Sequence, residues 1–331
     1  MFCISNIINE WVSISAAPDS INSKSFAIKR KPERTRSWSE HITRKPHFFF
    51  AASVDTGARM HPHPRSQDLC TRCGICSTVC IMGIIEPADE NSLPKTNDTK
   101  AGICIQCRQC EAHCPSQALI LEDRPDEKMR LPAGAGDIAP DNMGYYLRKR
   151  RSVRHYTKDP VPKKKILELL DIARYAASAG NRQPVEWIVV HDQERVKKIA
   201  AMTIEWMRTL AGSNHPMSGY VPALIRGWES GSDVICRGAP HLLVATIPEE
   251  YPVAQTDAII ALTHFDLAAP AHGIGTCWAG FVAMAASSYK PLQKDLSIPA
   301  GRRSAYAMIF GHPQHEIYGI PRRKPLVVAW L

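Results

Sequence analysis

Two cysteine-rich runs of identical spacing carry the clearest chemistry in this sequence. They contain eight of the 11 cysteines in a chain of 331 residues. The first run is Cys70, Cys73, Cys76 and Cys80, and the second is Cys104, Cys107, Cys110 and Cys114. Gaps of two residues let three thiolates converge on one face of a tight loop, where they can bind three irons of a cubane cluster. Zinc sites favour two separated ligand pairs, often with histidine, so the spacing predicts iron–sulfur clusters rather than zinc.

Four stretches nearer the C-terminus contain a second set of candidate residues. Residues 150–156 combine three arginines with Ser152, which can neutralise a phosphate and hydrogen-bond a planar heterocycle, although a solvated basic turn has the same composition. Residues 178–184 are typical of a helix end and turn. The glycines of residues 273–280 allow the backbone to approach a ligand closely. Residues 321–325 add a second cationic group near the C-terminus.

Hydrophobic periodicity and breaker residues predict the elements that position these stretches. Residues 66–122 form an internal repeat, in which each cysteine run is followed by a short apolar segment. Residues 125–141, rich in proline and glycine, are predicted to be a linker, and residues 142–331 have the pattern of a mixed α/β domain. In that domain the predicted helices begin near residues 166, 195 and 256. The predicted strands cover residues 187–190, 242–247 and 305–310. Residues 211–235 are predicted to be a long loop with a short helix.

Composition excludes two classes of protein. Hydrophobic residues make up 44% of the chain, which is enough for a packed core and excludes a wholly disordered protein. No apolar run approaches the roughly 18 residues that a membrane-spanning helix needs. The net charge of +9 fits a phosphate cofactor or an acidic electron-transfer partner as well as nucleic acid. Residues 1–59 lack a hydrophobic period, so we expect them to be disordered or a non-native extension before Met60.

Residues 60–124 resemble a bacterial-type ferredoxin with two 4Fe-4S clusters, because both cysteine runs, and Pro115 after the second, match its ligand pattern. Ile81 stands where the family usually has another proline. The resemblance implies a small βαβ-repeat fold in which the fourth cysteine of each run binds the cluster of the other run. One cluster would be held by Cys70, Cys73, Cys76 and Cys114, and the other by Cys104, Cys107, Cys110 and Cys80.

Residues 142–331 resemble the FMN-dependent nitroreductase family in the order and spacing of the four stretches. The Arg-Arg-Ser-Val-Arg opening and the Gly-Ile-Gly-Thr-Cys-Trp segment are the most specific. The resemblance implies an α+β protein whose main part is an FMN-binding α/β/α domain. In this family the protein positions and tunes the flavin, so no side chain is assigned as catalytic. The lone cysteines Cys236 and Cys277 are predicted to be small buried apolar residues.

The same resemblance implies a set of FMN contacts. Arg151, Ser152 and Arg154 would contact the phosphate, the ribityl chain and the pyrimidine edge. Ser178, Asn181 and Gln183 would lie near the isoalloxazine, across a dimer interface. Trp278, Ala279 and Gly280 would place backbone donors near flavin N5, and Arg323 and Lys324 would pair with the phosphate.

Together the two resemblances predict a flavin-dependent oxidoreductase in which two 4Fe-4S clusters pass electrons to FMN. FMN would then reduce an electron-poor organic substrate, such as a nitroaromatic, a quinone or an activated alkene. A non-enzymatic electron-transfer or docking subunit is the alternative, and nucleic-acid binding is disfavoured because the basic residues group at two cofactor-like motifs. The expected partners are a ferredoxin or NAD(P)H as donor and a second copy of the chain, in the cytoplasm. Hydrolase and P-loop motifs are absent from the sequence.

Overall fold

The computed structural model describes residues 63–64, 67–89, 92–120, 131–132 and 134–331. Residues 1–59, for which the sequence predicts disorder or a non-native extension, lie outside this part. Residues 125–130 of the predicted linker lie outside it as well. Within the described part, no helix combines the length and the apolar character needed to cross a membrane.

The iron–sulfur part, residues 63–120, consists of two similar halves. A one-turn helix begins within each cysteine run, α1 at Ile75–Thr78 and α2 at Gln109–Ala112. The short strands are β1 (His63–Pro64), β2 (Ile85–Glu86), β3 (Lys95–Thr96) and β4 (Leu119–Ile120), and β1 pairs with β4 and β2 with β3, both antiparallel. The apolar residues that follow the cysteine runs form the core, in which Ile84, Ile85 and Leu119 pack with Cys110.

The C-terminal part places helices on both faces of a four-stranded antiparallel sheet, which confirms the predicted α/β/α arrangement. The strands are β5 (Glu186–Val190), β6 (His241–Pro248), β7 (Gly275–Trp278) and β8 (Arg302–Gly311), and their order in the sheet is β5-β6-β8-β7. The helices are α3 (Pro140–Lys149), α4 (Lys163–Ala173), α5 (Gln193–Leu210), α6 (Val221–Glu229), α7 (Ala254–Ala268), α8 (Gly280–Ser288) and α9 (Lys290–Asp295).

Alternation along β6 divides the core between the two faces of the sheet. Leu242 and Val244 belong to the cluster formed with α5 and α8, and Leu243 and Ala245 belong to the cluster formed with α4 and α7. Successive side chains of a strand point to opposite faces, so a central strand covered on both sides is apolar throughout. This explains why the continuous apolar run of β6 could be predicted to be a buried strand.

Four helices and strands of the C-terminal part escape prediction, and one of them is the short helix α9. The short strand β7 lies in the glycine-rich segment that is interpreted above as a ligand-binding turn. Helix α8 is apolar on nearly every side, so it lacks the period that identifies an amphipathic helix. Helix α3 begins at Pro140, before the predicted domain start at residue 142, because proline is well tolerated in the first turn of a helix.

Candidate functional site

Each group of four cysteines that the ferredoxin resemblance assigns to one cluster lines a cavity of its own. The first cysteine set, Cys70, Cys73, Cys76 and Cys114, lines an open-sided space of about 380 Å³, a volume that includes its solvent-facing part. The second cysteine set, Cys80, Cys104, Cys107 and Cys110, lines a similar space of about 350 Å³. The fold therefore carries the fourth cysteine of each run into the cavity of the other run.

The cysteines of each set enclose space instead of converging on one point. Among the residues that the structure describes, no three or more His, Cys, Asp or Glu side chains are grouped as a single metal ion requires. Burial raises the pKa of Cys110 to about 12 and also raises those of Cys76 and Cys104. Such thiols become thiolates only when bound cations stabilise the charge. Four soft ligands around a cavity fit a multi-iron cluster.

Residues 150–154 run beside strand β7. The Val153 N–H donates to the Thr276 carbonyl at 2.8 Å, and the Tyr156 hydroxyl donates to the Val153 carbonyl at 2.6 Å. A Cβ added at Gly275 would lie 2.6 Å from Val153 Cγ2. The absence of a side chain at Gly275 therefore makes room for Val153 and not for a ligand.

Arg151 is fixed at one nitrogen and unpaired at another. Its Nη1 donates to the carbonyls of Arg148 at 2.9 Å and Arg150 at 2.5 Å. Its Nη2 is buried and has no hydrogen-bond partner among the described residues. A buried donor without an acceptor is costly, and a phosphate oxygen would satisfy it. Arg154 is exposed, with Nη1 3.4 Å from the Ser152 carbonyl, so the residues present fit an anionic cofactor.

Asp266, near the end of α7, joins residues 150–154, which we call the arginine segment, to β7. Its carboxylate accepts hydrogen bonds from the Thr276 hydroxyl and, at 3.1 Å, from Trp278 Nε1. Arg150 Nη1 lies 3.6 Å from the same carboxylate, which is only 4% exposed. A carboxylate this buried requires compensating donors and cations. Sequence reasoning missed Asp266, although an acid within the largely apolar residues 258–268 was an available signal.

Residues 178–183, the 178–183 loop, follow α4 and are bonded to one another. Ser178 Oγ accepts from the Gln183 N–H at 2.9 Å, and Gln183 Nε2 donates to Asn181 Oδ1 at 3.2 Å. Asn181 and Gln183 have φ of 53° and 47°, a region that residues with a Cβ rarely adopt. Asp257, in α7, accepts from the Ala179 N–H at 3.1 Å and holds the loop in place. The three residues predicted to lie near the isoalloxazine are therefore neighbours.

The 178–183 loop also contacts the iron–sulfur part. Asn181 Nδ2 donates to the carbonyls of Ile105 at 3.2 Å and Gln106 at 3.0 Å. Both carbonyls lie between Cys104 and Cys107, in the segment that we call the 104–107 loop. The side-chain donors of Asn181 are thus engaged by a loop that carries two cysteines, a contact that could not be predicted from local sequence patterns.

Residues 278–280 join the end of β7 to α8. The Ala279 N–H donates to the Ala307 carbonyl at 2.9 Å. Of the three predicted backbone donors, this one is therefore already paired within the sheet. The Trp278 ring packs edge-on against Tyr306, with ring centroids 5.2 Å apart. Gly280 is the first residue of α8, and the first N–H groups of a helix have no partner within that helix.

Arg323 and Lys324 lie in the C-terminal segment, residues 314–331, which has no regular secondary structure and is exposed throughout. Trp330 is 92% exposed, although an apolar terminus is expected to pack on another surface. The single chain therefore does not bury these two cations together with the arginine segment.

The backbone at Val161, which follows the arginine segment, is held by two stacked histidines, His191 and His241. The buried His241 Nε2 accepts from the Val161 N–H at 2.8 Å, and its Nδ1 lies 2.9 Å from the His191 carbonyl. The rings of His191 and His241 stack with centroids 4.4 Å apart. Burial, together with His191, lowers the pKa of His241 to about 4. His241 is therefore neutral in the folded protein, which matches its role as an acceptor.

We expect His241 to make folding stability fall on acidification. The pKa of His241 is about 4 in the folded protein, and that of an ordinary histidine is 6.5. As the pH falls, the unfolded chain therefore binds a proton at this residue before the folded chain does. The stability that is present above about pH 6.5 is lost as the pH falls toward 4. The loss at pH 5 is roughly 2 kcal/mol relative to pH 7. Thermal midpoints of His241→Gln and wild type should therefore converge between pH 7 and 5, while exposed His315→Gln tracks wild type. A constant gap between His241→Gln and wild type would contradict this prediction.

Two family models match the chain. The model described as "Nitroreductase family" matches residues 147–312, and the model described as "4Fe-4S dicluster domain" matches residues 69–119. The two matches coincide with the sheet-containing part and with the part that carries both cysteine sets.

The chain is also similar to individual proteins. A protein of Archaeoglobus fulgidus named "Putative NADH dehydrogenase/NAD(P)H nitroreductase" is 31% identical over 170 residues, which are 50% of this chain and 83% of that protein. A 5,6-dimethylbenzimidazole synthase of Rhodospirillum rubrum is 25% identical over 186 residues, 53% of this chain and 84% of that protein. Among solved structures, an FMN-bound nitroreductase from Bacteroides fragilis is 17% identical, with a TM-score of 0.49, covering 56% of this chain and 97% of that one.

Proposed function

Because this chain belongs to the nitroreductase family and carries a 4Fe-4S domain, it is an FMN oxidoreductase, and we propose that two 4Fe-4S clusters in the same chain supply electrons to its FMN. One observation carries the proposal: two sets of four cysteines line two separate cavities, and a loop of the second set contacts the 178–183 loop. Each cluster supplies single electrons and FMN, when bound, supplies two-electron chemistry.

The arginine segment is the proposed phosphate site. Arg151 supports this assignment because its buried Nη2 needs an acceptor, and Ser152 and Arg154 follow it in the same segment. Gly280 is the proposed backbone donor to the flavin at the start of α8, and Trp278 is the wall beside it. Asp266 is the positioning residue, because it holds both Arg150 and Trp278 through one buried carboxylate.

The proposed active form is a homodimer. Along α7, Asp257 holds the 178–183 loop and Asp266 holds the arginine segment, and nine residues at 1.5 Å each separate them by about 13 Å. In the proposed dimer, the two groups would serve different FMN molecules. The exposed C-terminal segment would cover the second copy and bring Arg323 and Lys324 to its phosphate site.

The proposed substrates are electron-poor organic compounds: nitroaromatics, quinones or activated alkenes. The donor is NAD(P)H, as the name of the Archaeoglobus relative suggests, or a reduced ferredoxin. Residues 211–235, which include α6, are proposed to select the substrate, and the cytoplasm is the proposed compartment. None of these assignments needs a catalytic acid or base from the protein, because the flavin carries the reaction.

The test is anaerobic reduction of a panel of acceptors from the three classes, with reduced methyl viologen, reduced ferredoxin or NADPH as donor. We expect FMN-dependent reduction of at least one acceptor. Cys107→Ser, which removes a ligand of the second cysteine set, should keep its FMN but lose most of the viologen-driven rate. No FMN-dependent reduction with any donor, or full viologen-driven activity without the second set, would contradict the proposal.

A further inference from the structure

The contact between Asn181 and the 104–107 loop distinguishes the two cysteine sets. A side-chain amide has two N–H groups, and the Asn181 amide donates to two carbonyls, those of Ile105 and Gln106. These carbonyls lie between two cysteines of the second set. Cys73 of the first set is exposed, whereas every cysteine of the second set is buried or half-buried.

Asparagine meets two requirements at this position. Its φ of 53° lies in the left-handed region, which Gly, Asn and Asp tolerate better than other residues. Of these three, only asparagine also carries side-chain N–H donors at neutral pH. Asparagine at position 181 therefore satisfies both the left-handed backbone conformation and the need for N–H donors toward the 104–107 loop.

The contact continues into the flavin-binding part. Asn181 Oδ1 accepts from Gln183 Nε2 at 3.2 Å, and the 178–183 loop is held to α7 through Ala179 and Asp257. The 104–107 loop, Asn181 and α7 thus form one hydrogen-bonded connection between a cluster cavity and the sheet-containing part.

We propose that the cluster of the second cysteine set is the one that passes electrons to the flavin, and that Asn181 is the positioning residue that docks it. This inference rests on the proposed function. The first set, in which Cys73 is exposed, receives electrons one at a time from a one-electron donor, a reduced ferredoxin, and returns the second-set cluster to its reduced state. Two such transfers, with protons from water, complete the reduction of one FMN.

The test compares Asn181→Asp and Asn181→Gly with wild type in the holoprotein. Both variants tolerate positive φ, Asp keeps the shape while removing the donors, and Gly removes the side chain without adding charge. Asn97→Gly is the matched control, because its amide donates to Glu86 at 2.8 Å, within the iron–sulfur part. Three quantities are measured: deuterium uptake of the 104–107 and 70–73 loops, FMN affinity, and the rate of flavin reduction after mixing with limiting reduced methyl viologen.

We expect both Asn181 variants to take up more deuterium at the 104–107 loop, with the 70–73 loop unchanged. Flavin reduction at saturating FMN should slow about tenfold, the factor that corresponds to 1.4 kcal/mol, while iron content stays at the wild-type value. The control should match wild type in the rate. Unchanged deuterium uptake with weaker FMN binding would overturn the inference and would mean that Asn181 contacts the flavin. Raised uptake with an unchanged rate of flavin reduction would also overturn the inference. Failure of the proposed function is distinguishable, because Cys107→Ser would then reduce its flavin as fast as wild type does.

Discussion

Arg151→Gln is expected to weaken FMN binding by about 100-fold, an effect of about 2.7 kcal/mol. A charge-assisted hydrogen bond to phosphate contributes about twice as much as a neutral one, and Arg151 has a buried Nη2 with no described acceptor. Glutamine removes both the charge and the planar fork of donors. The measurement is titration of the flavin-free protein with FMN, followed by flavin fluorescence, at two salt concentrations.

Two further variants test whether the loss of FMN affinity is caused by removing the Arg151 guanidinium. Arg151→Lys keeps the charge without the fork, so its affinity should lie between those of wild type and Arg151→Gln. Arg148→Gln removes an exposed cation three residues earlier in the chain and should bind FMN as wild type does. Equal losses in Arg148→Gln and Arg151→Gln would mean that overall positive charge, and not this site, attracts the cofactor.

Asp266→Asn is expected to lower stability by about 3 kcal/mol, because a buried carboxylate that balances a cation loses its charge. The variant leaves Arg150 without its anionic partner and disturbs the acceptors of Thr276 and Trp278. For a chain of this size the thermal midpoint should fall by roughly 6–12 °C. Since Asp266 also positions residues on both sides of the proposed flavin site, FMN affinity should fall as well.

Asp171→Asn is the matched control for Asp266→Asn. Asp171 pairs with Arg174 at 2.6 Å, and both side chains are exposed. Exposed ion pairs contribute about 0–1 kcal/mol, so this variant should unfold within a few degrees of wild type and bind FMN normally. Equal destabilisation by the two substitutions would show that the burial of Asp266 has no energetic consequence.

Features encoded by local spacing could be predicted from the sequence. The spacing of the cysteine runs predicts iron–sulfur clusters, and the ferredoxin resemblance implies which four cysteines form each set. The structure brings the members of each set to one cavity, including the crossed Cys80 and Cys114. The apolar run of β6 predicts a central strand because a strand covered on both faces needs no polar alternation.

Features that depend on tertiary contacts could not be predicted in the same way. The Ala279 N–H looks available in a glycine-rich segment, but it donates to Ala307, a strand partner distant in sequence. Asp266 acquires its role from Arg150 and Trp278, which only the folded chain brings to it. The contact of Asn181 with Gln106 joins two parts of the chain that each fit a separate family, and neither pattern alone contains that contact.

Metal, sulfide and flavin contents of one anaerobically purified sample test the central proposal most directly. Two cubane clusters and one flavin require about eight iron, about eight sulfide and about one FMN per chain, and we expect these values together with a visible spectrum that bleaches on reduction. Iron and sulfide without FMN would contradict the flavin site at the arginine segment. Zinc in place of iron would contradict the assignment of both cysteine sets and, with it, the supply of electrons from clusters to the flavin.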